Sequence, residues 1–269
     1  MNWKSFHHPD LSLPVIRRRA SEEWLDILSG VGEILATRGK SVLWSRTYPN
    51  STAYYNSMAR LRKKGLIVRA DNKGNLPHLI LTASAKNSRP VYYQPEKLWN
   101  TRWNKIWYML IFDVPEKERH YRDTLRRFLK TLRMGCLQKS VWITPRDIRP
   151  QYDDLEKAAC VGSVAYLLES QTVLHQDQQE LVQNSWGFSR LYELQSRYVE
   201  VFGENLELLD QQEASEEDLL SLLYQESEAY IQAMRPDPLL PKELHPASYI
   251  GPHVWEIHNK LRTKIAHAL

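Results

Sequence analysis

Asp113 closes the apolar run "IWYMLIF", which spans Ile106 to Phe112. A carboxylate at a strand end beside a sheet edge can ligate a divalent cation. Two such acids across a two-fold axis could hold one metal for phosphodiester hydrolysis. The neighbourhood argues for a different role. The other nearby acids, Glu116, Glu118 and Asp123, are interleaved with Arg119, Arg122, Arg126 and Arg127. Magnesium usually takes more than one carboxylate together with waters, whereas a lone Asp ahead of a helix commonly caps it or pairs with an arginine. The expectation is a structural Asp113 and no catalytic residue, with a metal-dependent nucleic-acid phosphodiesterase as the alternative.

A second set of residues suits recognition. In "PNSTAYYNSMARLRKKGLIVRADNKGNLPHLILT", Asn50 or Ser51 can cap a helix that Gly65 closes. Tyr54, Met58 and Leu61 share its inner face, and Ser51, Thr52, Tyr55 and Asn56 lie on or near the opposite one. Short polar side chains near a helix N-terminus can reach base edges in the major groove. Arg60, Lys63 and Lys64 can reach phosphates, and "LIVRA" and "HLILT" read as two strands of a wing carrying Arg69 and Lys73. Arg17, Arg18 and Arg19 make a basic arm. A winged helix that binds protein instead is the plainer reading of the same pattern.

Other chemistry is absent from the sequence. His245, His253 and His258 straddle a proline-rich turn and a helix, and their spacing specifies no zinc site. Cys136 and Cys160 form no CxxC pair and are expected to be reduced, partly buried thiols. No nucleophile elbow or glycine-rich phosphate loop occurs. No metal or cofactor is therefore expected.

Three segments must position these residues. Residues 1–95 are expected to be a winged-helix DNA-binding domain with a basic N-terminal arm, residues 101–170 a ferredoxin-like domain, and residues 180–269 a helical C-terminal domain, so the class is α+β. "SEEWLDILSGVGEILATRG" opens the first with an amphipathic helix, and "RPVYYQPEKLWNTRWNK" is read as a linker whose prolines discourage regular structure. Strand, helix, strand, helix, strand is the order of the middle, with a helix over residues 116–132 and "GCLQKSVWIT" as two short strands or one bent one. Beyond it come the polar "QTVLHQDQQELVQNS", two long helices, the extended "RPDPLLPKELHP" and a final helix over residues 252–267.

The net charge of +4 conceals an asymmetry: residues 1–110 hold 18 Lys and Arg against 7 acids, and residues 151–269 hold 8 against 20. A basic front suits a polyanion. No run approaches the length of a membrane span, and the N-terminus lacks the apolar core of a secretory signal, so a cytoplasmic location without membrane association is expected.

The middle segment, "IWYMLIFDVPEKERHYRDTLRRFLKTLRMGCLQKSVWITP", resembles the central domain of PaaX-type transcriptional repressors, which is in turn similar to the small ferredoxin-like subunit of the CRISPR integration complex. "NSWGFSRLYELQSRYVEVF" and "RPDPLLPKELHPASYIGPHVWEIHNKL" resemble the repressors' C-terminal domain. The resemblance implies a homodimer that binds double-stranded DNA at an inverted-repeat operator, blocks transcription and is relieved by a small-molecule effector, in the best-known branch a coenzyme A thioester of phenylacetate. It implies a middle domain that builds the dimer rather than cutting nucleic acid. His245, Tyr249 and His253 depart from the family's closing motif, where Leu, Trp and Arg are usual, and "SRTYPNSTAYYNS" is not its usual lead into the recognition helix. Operator and effector therefore do not carry over.

Overall fold

The computed structural model describes residues 56, 59, 62–63, 65, 67–70, 78–81, 90–115, 117, 119–153, 165–173, 177–211 and 214–268. In chain order they form β1 (Ile67–Ala70), β2 (His78–Leu81), a 3-10 turn (Val91–Tyr93), α1 (Glu96–Trp99), β3 (Trp107–Phe112), α2 (Arg119–Thr131), β4 (Gly135–Gln138), β5 (Val141–Thr144), β6 (Ala165–Ser170), α3 (Gln178–Trp186), α4 (Phe188–Gln211), α5 (Glu216–Met234), a second 3-10 turn (Lys242–Leu244) and α6 (Gly251–Ala268). The class is mixed α+β. The chain divides into two units. One draws on Gln94–Glu200 and Gln232–Trp255, the other on Val201–Ile231, Glu256–Leu269 and described residues up to Tyr93.

The first unit is built on a four-stranded sheet of order β4-β5-β3-β6, with every neighbouring pair antiparallel. A βαββαβ chain gives this order and these directions in a ferredoxin-like sheet. Alternation along β3 assigns its side chains to two faces. Tyr108, Leu110 and Phe112 join Trp142 and Ala165 on one face, beneath Leu125 and Leu129 of α2. The spacing of Tyr121, Leu125, Phe128, Leu129 and Leu132 puts an apolar stripe along that helix and turns Arg119 and Arg127 outward. Trp107 and Ile143 point to the other face. There Leu181 and Val182 of α3, Phe188 and Leu191 of α4, and Leu240 and Leu244 pack against them. Each such buried side chain stabilises by about 1.5–3 kcal/mol.

Gly135 lets α3 come this close to β4. A Cβ there would lie 2.7 Å from the Ser185 Cβ and from the Trp186 ring. The indole N–H of Trp186 donates to the Arg133 carbonyl at 3.0 Å beside it. α3 itself falls in the polar stretch for which no helix was expected. Its apolar residues are too few for a periodic signal, but its ends are strongly specified. The Asp177 side chain accepts from the Gln179 N–H, and Gly187 closes the helix in the left-handed region.

Two further expectations are corrected. The aromatic linker forms two short helical pieces, because Pro90 and Pro95 precede them at positions where a missing N–H costs nothing. Cys136, expected to be partly buried, is exposed on β4, which is an edge strand of the sheet.

In the second unit Leu219, Leu223 and Ile265 form a small core with Leu209, Leu220 and Leu222 against it. At the start of α5 the Asp218 N–H donates to the Ser215 hydroxyl at 3.2 Å. Glu226 and His258 are both buried and meet at 2.6 Å. The Tyr230 ring stacks on His258 at 3.7 Å, and its hydroxyl donates to the Tyr92 carbonyl at 2.5 Å. Burial pushes the His258 pKa down, and the Glu226 carboxylate pulls it back. β1 and β2 pair antiparallel, with Ile67 opposite Leu81 and Ala70 opposite His78.

Candidate nucleic-acid interface

The residues proposed from sequence to touch DNA are only partly among those described. Asn56 and Lys63 are helical and exposed, as are Ala59 and Arg62, which the sequence reading did not single out. Asn56, Ala59 and Lys63 stand at i, i+3 and i+7, so they share one helix face. Gly65 at φ +67 follows, and its N–H donates to the Arg62 carbonyl at 2.9 Å, ending the helix as its position suggested. Arg69 lies in β1, opposite Leu79. Ser51, Thr52, Tyr55, Arg60, Lys64, Lys73, Arg17, Arg18 and Arg19 lie outside the described residues.

Asp113 is exposed just past the end of β3. The nearest described acid in sequence, Asp123, is engaged by Arg119 at 3.8 Å and Arg126 at 3.6 Å. Among the described residues no three His, Cys, Asp or Glu side chains converge to hold a metal ion.

The tail motif has a role the sequence did not disclose. Asp237 is wholly buried. Its carboxylate accepts from the Gln195 amide at 2.6 Å, the Tyr249 hydroxyl at 2.9 Å and the Leu239 N–H at 2.7 Å. The Tyr249 hydroxyl in turn accepts from the Trp99 indole at 3.0 Å. Arg133 donates to the carbonyls of Arg235 and Asp237, and Arg146 to those of Pro238 at 2.7 Å and Leu239 at 2.5 Å. Burial holds the Asp237 carboxyl above its ordinary range against these donors. Burial, with Arg133 nearby, pushes Arg146 down to about 10, and Asp237 opposes that shift. These bonds all go to the chain itself, so the network seats Leu240 and Leu244 on the sheet. The proline-rich segment was visible in the sequence; that its Asp is the buried hub was not, because the partners at Arg133 and Gln195 are remote in sequence.

Cations gather instead on the outer side of α2. Arg119, Arg127 and Lys130 are exposed there, and Lys139 is exposed in the β4–β5 turn beside it. On the opposite sheet face, past the part covered by α3 and α4, β6 presents Tyr166 and Leu168 at 63% and 46% exposure. β6 ends the strand order, so one edge of its backbone is unpaired among the described strands.

Residues 100–182 match the family model of the PaaX protein central Cas2-like domain. The uncharacterized protein Rv0674 from Mycobacterium tuberculosis has a similar structure, with a TM-score of 0.54 at 18% identity, over 93% of this chain and 96% of that one. At that identity the likeness is one of fold. Among curated proteins nothing matches the chain. No described helix is long and apolar enough to cross a membrane. The sheet and its basic helix coincide with the matched segment, residues 100–182, and in that segment the chain is similar to the PaaX central domain.

Proposed function

We propose that this chain is a sequence-specific DNA-binding transcriptional repressor that acts in the cytoplasm as a homodimer on an inverted-repeat operator. The likeness of residues 100–182 to the PaaX central domain supports a transcriptional regulator as the coarse reading. The observation that carries the finer one is the helix bearing Asn56 and Lys63 on one exposed face, closed at Gly65 and followed at once by the β1–β2 hairpin. That succession fits a recognition helix and wing. Asn56 and Arg60 choose the sequence, while Lys63, Lys64, Arg69 and Lys73 hold phosphates, joined by the arm Arg17 to Arg19.

Two-fold symmetric DNA calls for a two-fold symmetric protein. Tyr166 and Leu168 on the edge strand β6 support self-association through the central sheet, since an apolar strip on an open edge favours pairing with another copy. A small-molecule effector would act by favouring one arrangement of the dimer over another.

The test is binding to duplexes recovered by genome-wide footprinting. Asn56→Ala and Arg60→Ala are expected to abolish selective binding with the dimer intact. Undiminished affinity in both variants would overturn the assignment.

A further inference from the structure

We infer that the outer face of α2, with the β4–β5 turn, is a second phosphate-binding surface, so that the central domain itself grips the duplex backbone. This rests on the DNA-binding reading above and adds a partner surface to it. Between Arg119 and Lys139 the chain has seven Lys and Arg and one acid, Asp123. Asp123 lies between Arg119 and Arg126 and leaves Arg127, Lys130 and Lys139 exposed.

The surface is ordered as well as charged. Arg126 donates twice to the Lys139 carbonyl, at 3.1 and 3.0 Å, which clamps the turn to the helix. Arg127 donates to the Asp123 carbonyl and the Thr124 hydroxyl at 3.3 and 3.0 Å, so its guanidinium is held against its own helix. From Arg119 to Lys130 the helix rises about 16 Å. That length runs past several phosphates of a strand, whose axial spacing is about 3.4 Å.

The charge is not that of a membrane-lying helix. Such a helix places large apolar side chains beside its cations. The large exposed apolar residues among those described are Val91, Tyr166, Leu168, Tyr192, Val201 and Leu208, none of them on α2. Because the surface offers lysines and arginines without a base-reading helix, its grip is independent of sequence.

The experiment uses the full chain and a random-sequence duplex of about 30 base pairs, with affinity followed against salt. Each phosphate deprived of its cation lowers the slope of log K against log salt by about 0.9, so Arg127→Ala/Lys130→Ala/Lys139→Ala together should lower it by roughly 2 to 3. Circular dichroism confirms the fold, and Lys260→Ala, an exposed lysine paired with Glu256 on α6, serves as the control with an unchanged slope. If the triple variant keeps the parent slope while both bind the duplex, the inference is wrong and the DNA-binding reading stands. If it instead loses binding only to anionic phospholipid vesicles, the surface belongs to a membrane and the inference is likewise wrong. If the parent binds no duplex even at low salt, the DNA-binding reading falls and takes this surface with it.

Discussion

The two faces of the four-stranded sheet are treated in opposite ways. One is closed by α2, which buries Leu125 and Leu129 and turns Arg119, Arg127 and Lys130 outward. The other is closed at one end by α3, α4 and the Leu240–Leu244 segment and left open at the other, where Tyr166 and Leu168 stand exposed. The same sheet thus offers cations on one side and apolar surface on the other. Cations attract a polyanion over distance, whereas apolar surface is driven to cover at close range. Under the proposed function, DNA would take the first face and a second copy of the chain the second.

That contrast depends on the covered end staying covered. Asp237→Ala leaves the Gln195 amide, the Tyr249 hydroxyl and the Leu239 N–H without their shared acceptor in a buried site. The expected cost is about 3–5 kcal/mol. A thermal melt should show a drop of the order of 10 °C; an unchanged melt would mean the network does not hold the segment down. Gly135→Ala presses a methyl into Ser185 and Trp186 and is expected to cost about 1–3 kcal/mol by denaturant titration. An equally stable variant would show that α3 can retreat from β4 freely.

A smaller effect follows from His245, which bonds the Leu240 carbonyl at 2.8 Å. Burial pushes its pKa below the ordinary value, with Lys242 adding in the same direction. The folded state therefore resists a proton that the unfolded chain accepts near about pH 6.5. Stability from this group is full above that pH and is lost as pH falls through it toward the folded value. His245→Gln should flatten the melting temperature between about pH 7 and 5 relative to the parent; an identical pH profile would mean that His245 does not carry this dependence. The smallest effect on folding is expected from Tyr166→Glu/Leu168→Glu, within about 0.5 kcal/mol, because neither side chain is covered. Sedimentation should nonetheless show monomers, and a persistent dimer would move the interface elsewhere.

The sequence disclosed the strands of the sheet because they are apolar and alternate or run continuously, and it disclosed α2 because Leu125, Phe128 and Leu132 keep helical spacing. Gly65 marked a helix end through local chemistry alone. α3 escaped notice because its signal lies in Asp177 and Gly187 at the ends and not in a stripe. The Asp237 network escaped for a different reason. A buried Asp is recognisable only by its partners, and Gln195 reaches its carboxylate, and Arg133 its carbonyl, from far along the chain. Of the residues proposed to face DNA, the sequence could name types and spacing, while the exposure of Asn56 and Lys63 came from the structure.

Genome-wide footprinting of the full chain tests most directly whether two copies read a symmetric operator. The expected result is a set of protected sites with two-fold symmetry, their half-sites a whole number of helical turns apart, about 10 base pairs each. Protection that is asymmetric, or that favours no duplex sequence at all, would contradict the dimeric repressor.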